Sequence, residues 1–212
     1  METLDCITLR RSIRKYKDIP VEFEKVGHIL NAARLAPNAG NIQETRFILV
    51  TNLDTRKKIA EACVKQYWMQ DAPLHIVVVS HPKKAANFYG AKGEKVYCLH
   101  SAGAAIENIL LAATAQGLGS CWVGAFDDNK IKKLLNIPGD AEPQAVITIG
   151  YADEKPKLPP KFKMENITFV GSYGNKIKDV AAFMGYYGEH VQGAIRRGKE
   201  MFRKILEKKK EA

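Results

Sequence analysis

One segment near the middle of the chain, residues 94–127, constrains the fold more than any other. Its first part, residues 95–116, predicts a helix that is apolar on nearly every side, which is typical of a helix buried in a protein interior. At about 1.5 Å per residue, this helix is roughly 30 Å long, the width of a small domain. We therefore expect the other elements of the chain to pack around it.

The second part of this segment predicts a turn and a strand. Gly117 and Gly119 are expected to end the helix, because glycine adopts left-handed backbone angles without strain. The apolar residues 120–124, SCWVG, follow as a short buried strand. Small residues at the end of this strand would let the backbone approach a flat ligand closely.

A membrane span is the alternative for the helix, since about 20 mostly apolar residues cross a bilayer. Glu107 and Asn108 lie in its middle, however, where a charge in lipid is costly. We therefore expect a helix of the protein core and no membrane contact.

The cysteines and the first residues bear on the compartment. The chain has four well-separated cysteines and no C-x-x-C pair, so zinc and dithiol redox motifs are unsupported: Cys6, Cys63, Cys98 and Cys121. Each lies in a predicted helix or strand, which predicts buried, reduced thiols. No apolar run resembles a signal peptide at the start. Together these features predict a cytoplasmic protein.

The remaining pattern indicates a mixed α and β fold. Four apolar segments predict strands: residues 46–51, 74–80, 120–124 and 144–150. Helical patterns lie between them, and Asp54 and Asp127 are expected to cap two of these helices. The spacing would allow a doubly wound sheet, but the fingerprint G-x-G-x-x-G is absent, because GLGSCWVG enters a strand.

A cluster of cations near the N-terminus predicts an anion site. In the segment RRSIRK, Arg10, Arg11, Arg14 and Lys15 surround the hydroxyl of Ser12. Arginine forks bind a phosphate monoester in pairs, and a serine hydroxyl adds a donor. A solvated basic turn remains the alternative for this motif taken alone.

Other segments extend this site. Residues 37–43, PNAGNIQ, predict an amide-rich loop, and residues 123–125 form the close-packed strand end. Lys161 and Lys163 add positive charge. An anion clamp, amide donors and a flat, closely approached backbone together fit flavin mononucleotide (FMN).

Over roughly residues 3–170 the chain resembles the nitroreductase family of FMN-dependent oxidoreductases. The matching segments are RRSIRKY, APNAGNIQ and ENILLAATAQGLGSCWVGAFD, in the expected order and spacing. The resemblance implies an α+β flavoprotein with a four- to five-stranded sheet flanked by helices. It also implies a homodimer with two FMN sites at its interface, where the central helix would lie. We expect an FMN-binding domain at residues 1–172 and a basic helical extension at 173–212.

The resemblance also implies roles for single residues. The phosphate end of FMN is expected to contact Arg10, Arg11 and Ser12, with Lys161 and Lys163 completing that site. Arg14 is expected near N1 and O2 of the flavin, where a cation stabilises the charge of the reduced ring. The flavin of the other subunit is expected to contact Pro37, Asn38, Ala39, Asn41 and Gln43. Gly124 and Ala125 are expected to lie near N5.

The sequence departs from the family at three positions of the loop. The family commonly has serine at the position of Asn38, and often proline and tryptophan at those of Glu44 and Thr45. The surroundings of the flavin are therefore expected to differ there.

The activity implied is hydride transfer from NADH or NADPH through FMN to a small electron-poor acceptor, a nitroaromatic or quinone, with ping-pong kinetics. No acid–base residue pair is predicted to be catalytic. The same fold would also allow dehalogenation, oxidation or consumption of FMN itself. The segment 81–94, with Phe88 and Tyr89, is expected to cover the site and to select among these reactions.

A different class of function is suggested by the basic C-terminus. Of the net charge of +10, residues 196–210 carry a surplus of six, from eight basic and two acidic side chains. Phosphate contacts alone give nonspecific affinity for nucleic acid. Phe202 is the single aromatic residue of this stretch available for base stacking, so we expect a solvated helix and no nucleic-acid partner.

Overall fold

The computed structural model describes residues 1–176. The chain divides into two compact units, Met1–Leu158 and Pro159–Ala212. The predicted boundary between residues 172 and 173 stays a prediction, and the basic stretch 196–210 lies outside the described residues.

Helices and strands alternate along most of the first unit. The helices are α1 (Thr3–Leu9), α2 (Phe23–Arg34), α3 (Leu53–Ala62), α4 (Pro82–Lys92), α5 (Cys98–Ala115), α6 (Asp128–Leu135) and, in the second unit, α7 (Met164–Ile167). The strands are β1 (Arg46–Val50), β2 (Leu74–Ser80), β3 (Gly119–Val123) and β4 (Glu142–Gly150). All four predicted strands are confirmed, with bounds that differ by at most two residues.

The four strands form one sheet in the order β1-β2-β4-β3, and every neighbouring pair is antiparallel. The α+β class is therefore confirmed, and a doubly wound sheet, which needs parallel strands, is wrong. The central strand β2 is buried along its whole length. This burial explains its continuous apolar sequence, since helices cover both faces of the sheet.

Alternate residues of the strands enter two separate cores. On one face, Ile76 and Ile147 pack with the helices α2 and α5. On the other face, Val77 and Val146 pack with α3 and α6. The sheet thus separates α5 from α6.

The central helix α5 buries one of its faces in the first core, through Ala102, Ile106, Ile109 and Ala113 among others. The residues of its opposite face are half-buried or exposed, and Leu99, near the start of the helix, is 50% exposed. A single chain therefore covers α5 on one face, and the predicted dimer interface over the other face stays a prediction. The helical segment Pro82–Ala115 is long and apolar enough to cross a membrane. The packing of α5 against the sheet, however, is that of a core helix.

Two local predictions near helix ends have different outcomes. The side chain of Asp127 caps α6 by accepting from the backbone N–H of Lys130 at 3.0 Å, as predicted. The predicted cap by Asp54 is wrong, because α3 begins two residues earlier than that cap requires and Asn52 accepts from the N–H of Thr55 at 3.0 Å. Residues 82–92 of the predicted cover segment form the helix α4, which a π-helical turn, Gly93–Tyr97, joins to α5.

All four cysteines are buried and unpaired, as predicted. Burial raises the pKa of Cys63 to about 12 and raises the pKa of Cys98 and Cys121 above the ordinary value. Because the thiolate is the reactive form, these thiols are chemically quiet.

Candidate functional site

The basic segment that follows α1 adds an extended strand-like stretch to the sheet. Ser12 forms a parallel bridge with Ser120 of β3, and the N–H of Ile13 donates to the carbonyl of Ser120 at 3.0 Å. Farther along, Tyr16 forms an antiparallel bridge with Ala152. The sequence between these points, residues 12–16, is therefore held along the ends of β3 and β4.

The buried side chain of Tyr16 holds this stretch in place through two hydrogen bonds. Its hydroxyl lies 2.7 Å from the carbonyl oxygen of Ile13, to which it donates, and 2.8 Å from the hydroxyl of Thr148. Burial raises the pKa of Tyr16, so the hydroxyl keeps its proton and stays a donor. The backbone beside Ser12 is thus fixed by the protein interior.

A cavity of about 330 Å³, which we call the clamp cavity, lies next to this stretch. Its lining includes Arg10, Arg11, Gly119, Glu154 and Lys155. Three of these side chains are cationic and one is anionic, so the cavity is positive on balance.

The two arginines of the clamp cavity are only partly engaged. Nε of Arg10 lies 3.7 Å from a carboxylate oxygen of Glu107. Nη1 of Arg11 donates to the carbonyl oxygens of Thr8, at 2.8 Å, and Arg10, at 2.7 Å. Nε of Arg11 is buried and has no partner among the described residues. A buried N–H without a partner is costly, so Arg11 keeps one donor that no described residue satisfies in this structure.

Arg14 is held at both of its ends. Its backbone N–H donates to a carboxylate oxygen of Glu154, which also accepts from the N–H of Lys15 at 3.1 Å. Its guanidinium lies 5.8 Å from the ring centre of Trp68, within cation–π range. Glu154 and Trp68 therefore set the position and the direction of this cation.

The amide-rich loop adopts a constrained conformation before β1. Three of its residues have left-handed backbone angles, with φ of 55° at Gly40, 55° at Asn41 and 53° at Gln43. The side-chain oxygen of Asn38 accepts from the N–H of Gln43 at 2.9 Å. The hydroxyl of Ser101 on α5 accepts from the N–H of Ala39 at 3.4 Å. These contacts offset the backbone strain of Asn41 and Gln43. Strained backbone of this kind is common at ligand sites.

This loop lines a second cavity of about 180 Å³, here called the loop cavity, between α2, β1 and α5. Its lining includes Arg34, Asn38, Gln43, Arg46 and Ser101. The clamp cavity and the loop cavity share no residue. In one chain, the structure therefore does not bring the basic segment and the amide-rich loop into a single pocket.

The other predicted contacts occupy varied positions. Pro37, Gly124 and Ala125 are exposed, the latter two directly after β3, beside a Trp122 that is 43% exposed. Lys161 and Lys163 belong to the second unit, where Nζ of Lys163 lies 3.7 Å from the carboxylate of Glu165. Their contribution to a phosphate site stays a prediction.

Two residues at the departures from the family pattern have opposite surroundings. Thr45 lines the loop cavity. Glu44 is fully buried, and neither carboxylate oxygen has a partner among the described residues. The departure at Glu44 therefore changes the protein interior behind the loop.

Sequence reasoning missed three residues that shape these sites. Glu154 and Trp68 hold Arg14, and Ser101 holds the loop. No local motif marks them, because each contact joins segments that are far apart in the sequence. Within residues 1–176, no cluster of three or more His, Cys, Asp or Glu side chains could hold a metal ion.

Most of the described chain matches a known protein family. The profile of the Nitroreductase family matches residues 7–68 and 62–151. A protein of Archaeoglobus fulgidus, assigned as an NADH dehydrogenase/NAD(P)H nitroreductase, is 38% identical over 159 residues, which are 73% of this chain and 88% of the relative. The FMN reductase [NAD(P)H] of Bacillus subtilis is 28% identical over 188 residues, 82% of this chain and 76% of the relative.

Solved structures share the fold. The FMN-dependent nitroreductase of Clostridium difficile R20291 superimposes with a TM-score of 0.66 at 29% identity, covering 82% of this chain and 99% of the other. The NADPH:FMN oxidoreductase of Vibrio harveyi, solved with NAD+, gives a TM-score of 0.74 at 21% identity, covering 90% of this chain and 85% of the other. The second likeness, at its low identity, bears on the fold alone.

Proposed function

The chain belongs to the nitroreductase family, and on this basis we propose that it is an oxidoreductase that binds FMN and takes electrons from NADH or NADPH. The electrons pass to a small electron-poor acceptor, a nitroaromatic or a quinone. The relatives named above support this class of reaction through their own names, which include FMN reductase and NAD(P)H nitroreductase.

The observation that carries the proposal is the clamp cavity. A phosphate monoester has about −1.5 to −2 charges and three acceptor oxygens. Arg10, Arg11 and Lys155 supply cations around this cavity, and the buried Nε of Arg11 lacks a protein partner among the described residues. The residues therefore fit the phosphate end of FMN, with the hydroxyl of Ser12 as a further donor.

Arg14 would serve the ring end of the cofactor. Its guanidinium lies 5.8 Å from the ring centre of Trp68, and Arg14 is not among the residues that line the clamp cavity. A fixed cation near N1 and O2 stabilises the negative charge of a reduced flavin without reorganisation. Because Glu154 and Trp68 hold Arg14 in place, that stabilisation would be available before the substrate binds.

The amide-rich loop supports the proposal of a homodimer. Asn38, Ala39, Asn41 and Gln43 belong to a loop that lines a cavity separate from the clamp cavity. In a two-fold dimer, this loop could serve the flavin of the partner subunit, and the face of α5 that the sheet does not cover would be buried. We place the enzyme in the cytoplasm.

Bound FMN would supply the hydride chemistry, first accepting from the reduced nicotinamide and then donating to the acceptor. The chain itself positions the partners through the clamp, Arg14 and the exposed backbone at Gly124 and Ala125. One stacking face used twice requires the first product to leave before the acceptor binds. We therefore expect ping-pong kinetics, with parallel lines in double-reciprocal plots.

The first test is an absorption spectrum of the purified, desalted protein. Flavin bands, release of about one FMN per chain on denaturation, and bleaching by NADH or NADPH are the expected results, since FMN-type cofactors carry the redox chemistry of such enzymes. A colourless protein that does not take up added FMN would refute the proposal.

A further inference from the structure

The lining of the loop cavity has a chemistry that the flavin does not explain. Arg34 and Arg46 both reach it, and none of the described residues that line it is acidic. Both arginines are exposed residues, so their charges are accessible to an anion from outside the chain. This arrangement is therefore suited to an anionic group from outside the chain.

The guanidinium groups of these arginines retain free donors. Nε of Arg34 donates to the side-chain oxygen of Asn31 at 2.9 Å. Nη1 of Arg46 donates to the carbonyls of Gln43 and Thr45, each at 2.8 Å. A guanidinium carries five N–H donors, so the other N–H groups of both side chains have no protein acceptor among the described residues. Within residues 1–176, neither arginine takes part in an ion pair.

Neutral donors and an apolar floor complete the cavity. The amides of Asn38 and Gln43 and the hydroxyl of Ser101 line it together with Phe47 and Ala105. Its volume of about 180 Å³ suits a carboxylate or phosphate group with part of an attached ring, and not a whole cofactor.

We propose that the loop cavity is an oxyanion subsite that holds the carboxylate or phosphate of a reactant beside the flavin. This inference rests on the proposed function, because Asn38 and Gln43, which line the cavity, belong to the loop expected to contact the flavin. The chemistry that recognises the ligand is a planar or tetrahedral oxyanion bound by arginine forks. Two reactants could bring it: a carboxylated acceptor, or NADPH through its 2′-phosphate.

The test compares matched charged and neutral reactants in the FMN-loaded enzyme. The acceptor pair is 4-nitrobenzoate and 4-nitrobenzamide, and the donor pair is NADPH and NADH. The variants are Arg34→Gln, which removes the charge, and Arg34→Lys, which keeps it. Lys133→Gln removes one charge from α6 on the opposite face of the sheet and is the control.

The expected result is a loss of preference for the charged member of one pair. Losing one charge-assisted hydrogen bond should lower the ratio of kcat/KM values, charged over neutral, about tenfold in Arg34→Gln. Arg34→Lys should keep most of the preference, and Lys133→Gln should leave it unchanged. A change in the acceptor pair assigns the subsite to the acceptor, and a change in the donor pair assigns it to NADPH.

Calorimetric titration with 4-nitrobenzoate and with 2′-phosphoadenosine gives a readout independent of turnover. One of these probes should bind the wild type and bind Arg34→Gln about tenfold more weakly. Unchanged ratios in both pairs, together with unchanged titrations, would overturn the subsite while leaving the flavin proposal intact. A wild type that holds no FMN would instead refute the proposed function, and the titrations would still decide whether the oxyanion site exists.

Discussion

Glu154 offers the sharpest test of how the basic segment that follows α1 is held in place. Its carboxylate accepts the backbone N–H groups of Arg14 and Lys15, across 140 residues of sequence. It also lines the clamp cavity, where its negative charge opposes the binding of a phosphate. Removing the side chain therefore has two effects of opposite sign on FMN affinity.

Two substitutions separate these effects. In Glu154→Gln the amide oxygen still accepts both N–H groups, but the charge is gone. In Glu154→Ala both the charge and the acceptor are lost. Hydrogen bonds to a charged group contribute about 1.5–3 kcal/mol each when buried. Glu154 is only half-buried and the freed N–H groups of exposed residues regain water, so we expect a net cost of about 1–2 kcal/mol for losing the pair.

The charge itself has a smaller effect, since exposed ion interactions contribute about 0–1 kcal/mol. We therefore expect Glu154→Gln to bind FMN as tightly as the wild type or up to a few-fold more tightly, by about 0–1 kcal/mol. Glu154→Ala should bind FMN about tenfold more weakly than Glu154→Gln, since 1.4 kcal/mol is a factor of ten.

The assay is quenching of FMN fluorescence when apoprotein is titrated into the free cofactor. The comparison of the two variants with one another carries the result, because both lack the same charge. Equal dissociation constants for Glu154→Ala and Glu154→Gln would refute the idea that the carboxylate positions Arg14. Affinity of Glu154→Ala above that of the wild type would show that charge, and not position, dominates.

Three further outcomes are expected. Trp68→Leu removes the aromatic ring that holds Arg14 and should lower the midpoint potential of the bound flavin, measured by dye-coupled reduction. An unchanged potential would contradict the role of this cation–π contact. Gly119→Ala places a Cβ 2.8 Å from the side chain of the buried Ile13 and should lower the free energy of unfolding in urea by about 1–3 kcal/mol. Gly139→Ala, which has open space around it, should leave the free energy of unfolding almost unchanged. Burial lowers the pKa of His75 to about 4, so between pH 6.5 and 4 the unfolded state binds a proton that the folded state does not. Stability should fall by up to about 3 kcal/mol between pH 6.5 and 4, and replacing His75 by Gln should flatten this dependence.

Local patterns in the sequence were sufficient for the four strands and the central helix. The continuous apolar run of β2 reflects burial on both faces of the sheet, and such burial is recorded in the local sequence. The Asp127 cap was also predictable, because its side-chain oxygen accepts from an N–H only three residues away. The failure at Asp54 shows the limit, because Asn52, two residues earlier, competes for the same role.

The candidate site was predictable only in part. Arg10, Arg11 and Ser12 stand together in the sequence, so their shared anion chemistry was visible as a motif. The loop at Asn38–Gln43 was visible as a cluster of turn formers, but its separate cavity was not. Arg34, on α2, and Arg46, on β1, become neighbours of one cavity through the packing of those elements.

Residues within a few positions of one another therefore specify the set of elements, the buried faces and the anion-binding motif. Contacts between distant segments specify the antiparallel order β1-β2-β4-β3, the hold of Glu154 and Trp68 on Arg14, and the division into two cavities. These features arise from contacts between distant segments, whose free energy depends on how whole elements pack. No periodicity or spacing within a single segment encodes such contacts, since they form only when the sheet and its helices come together.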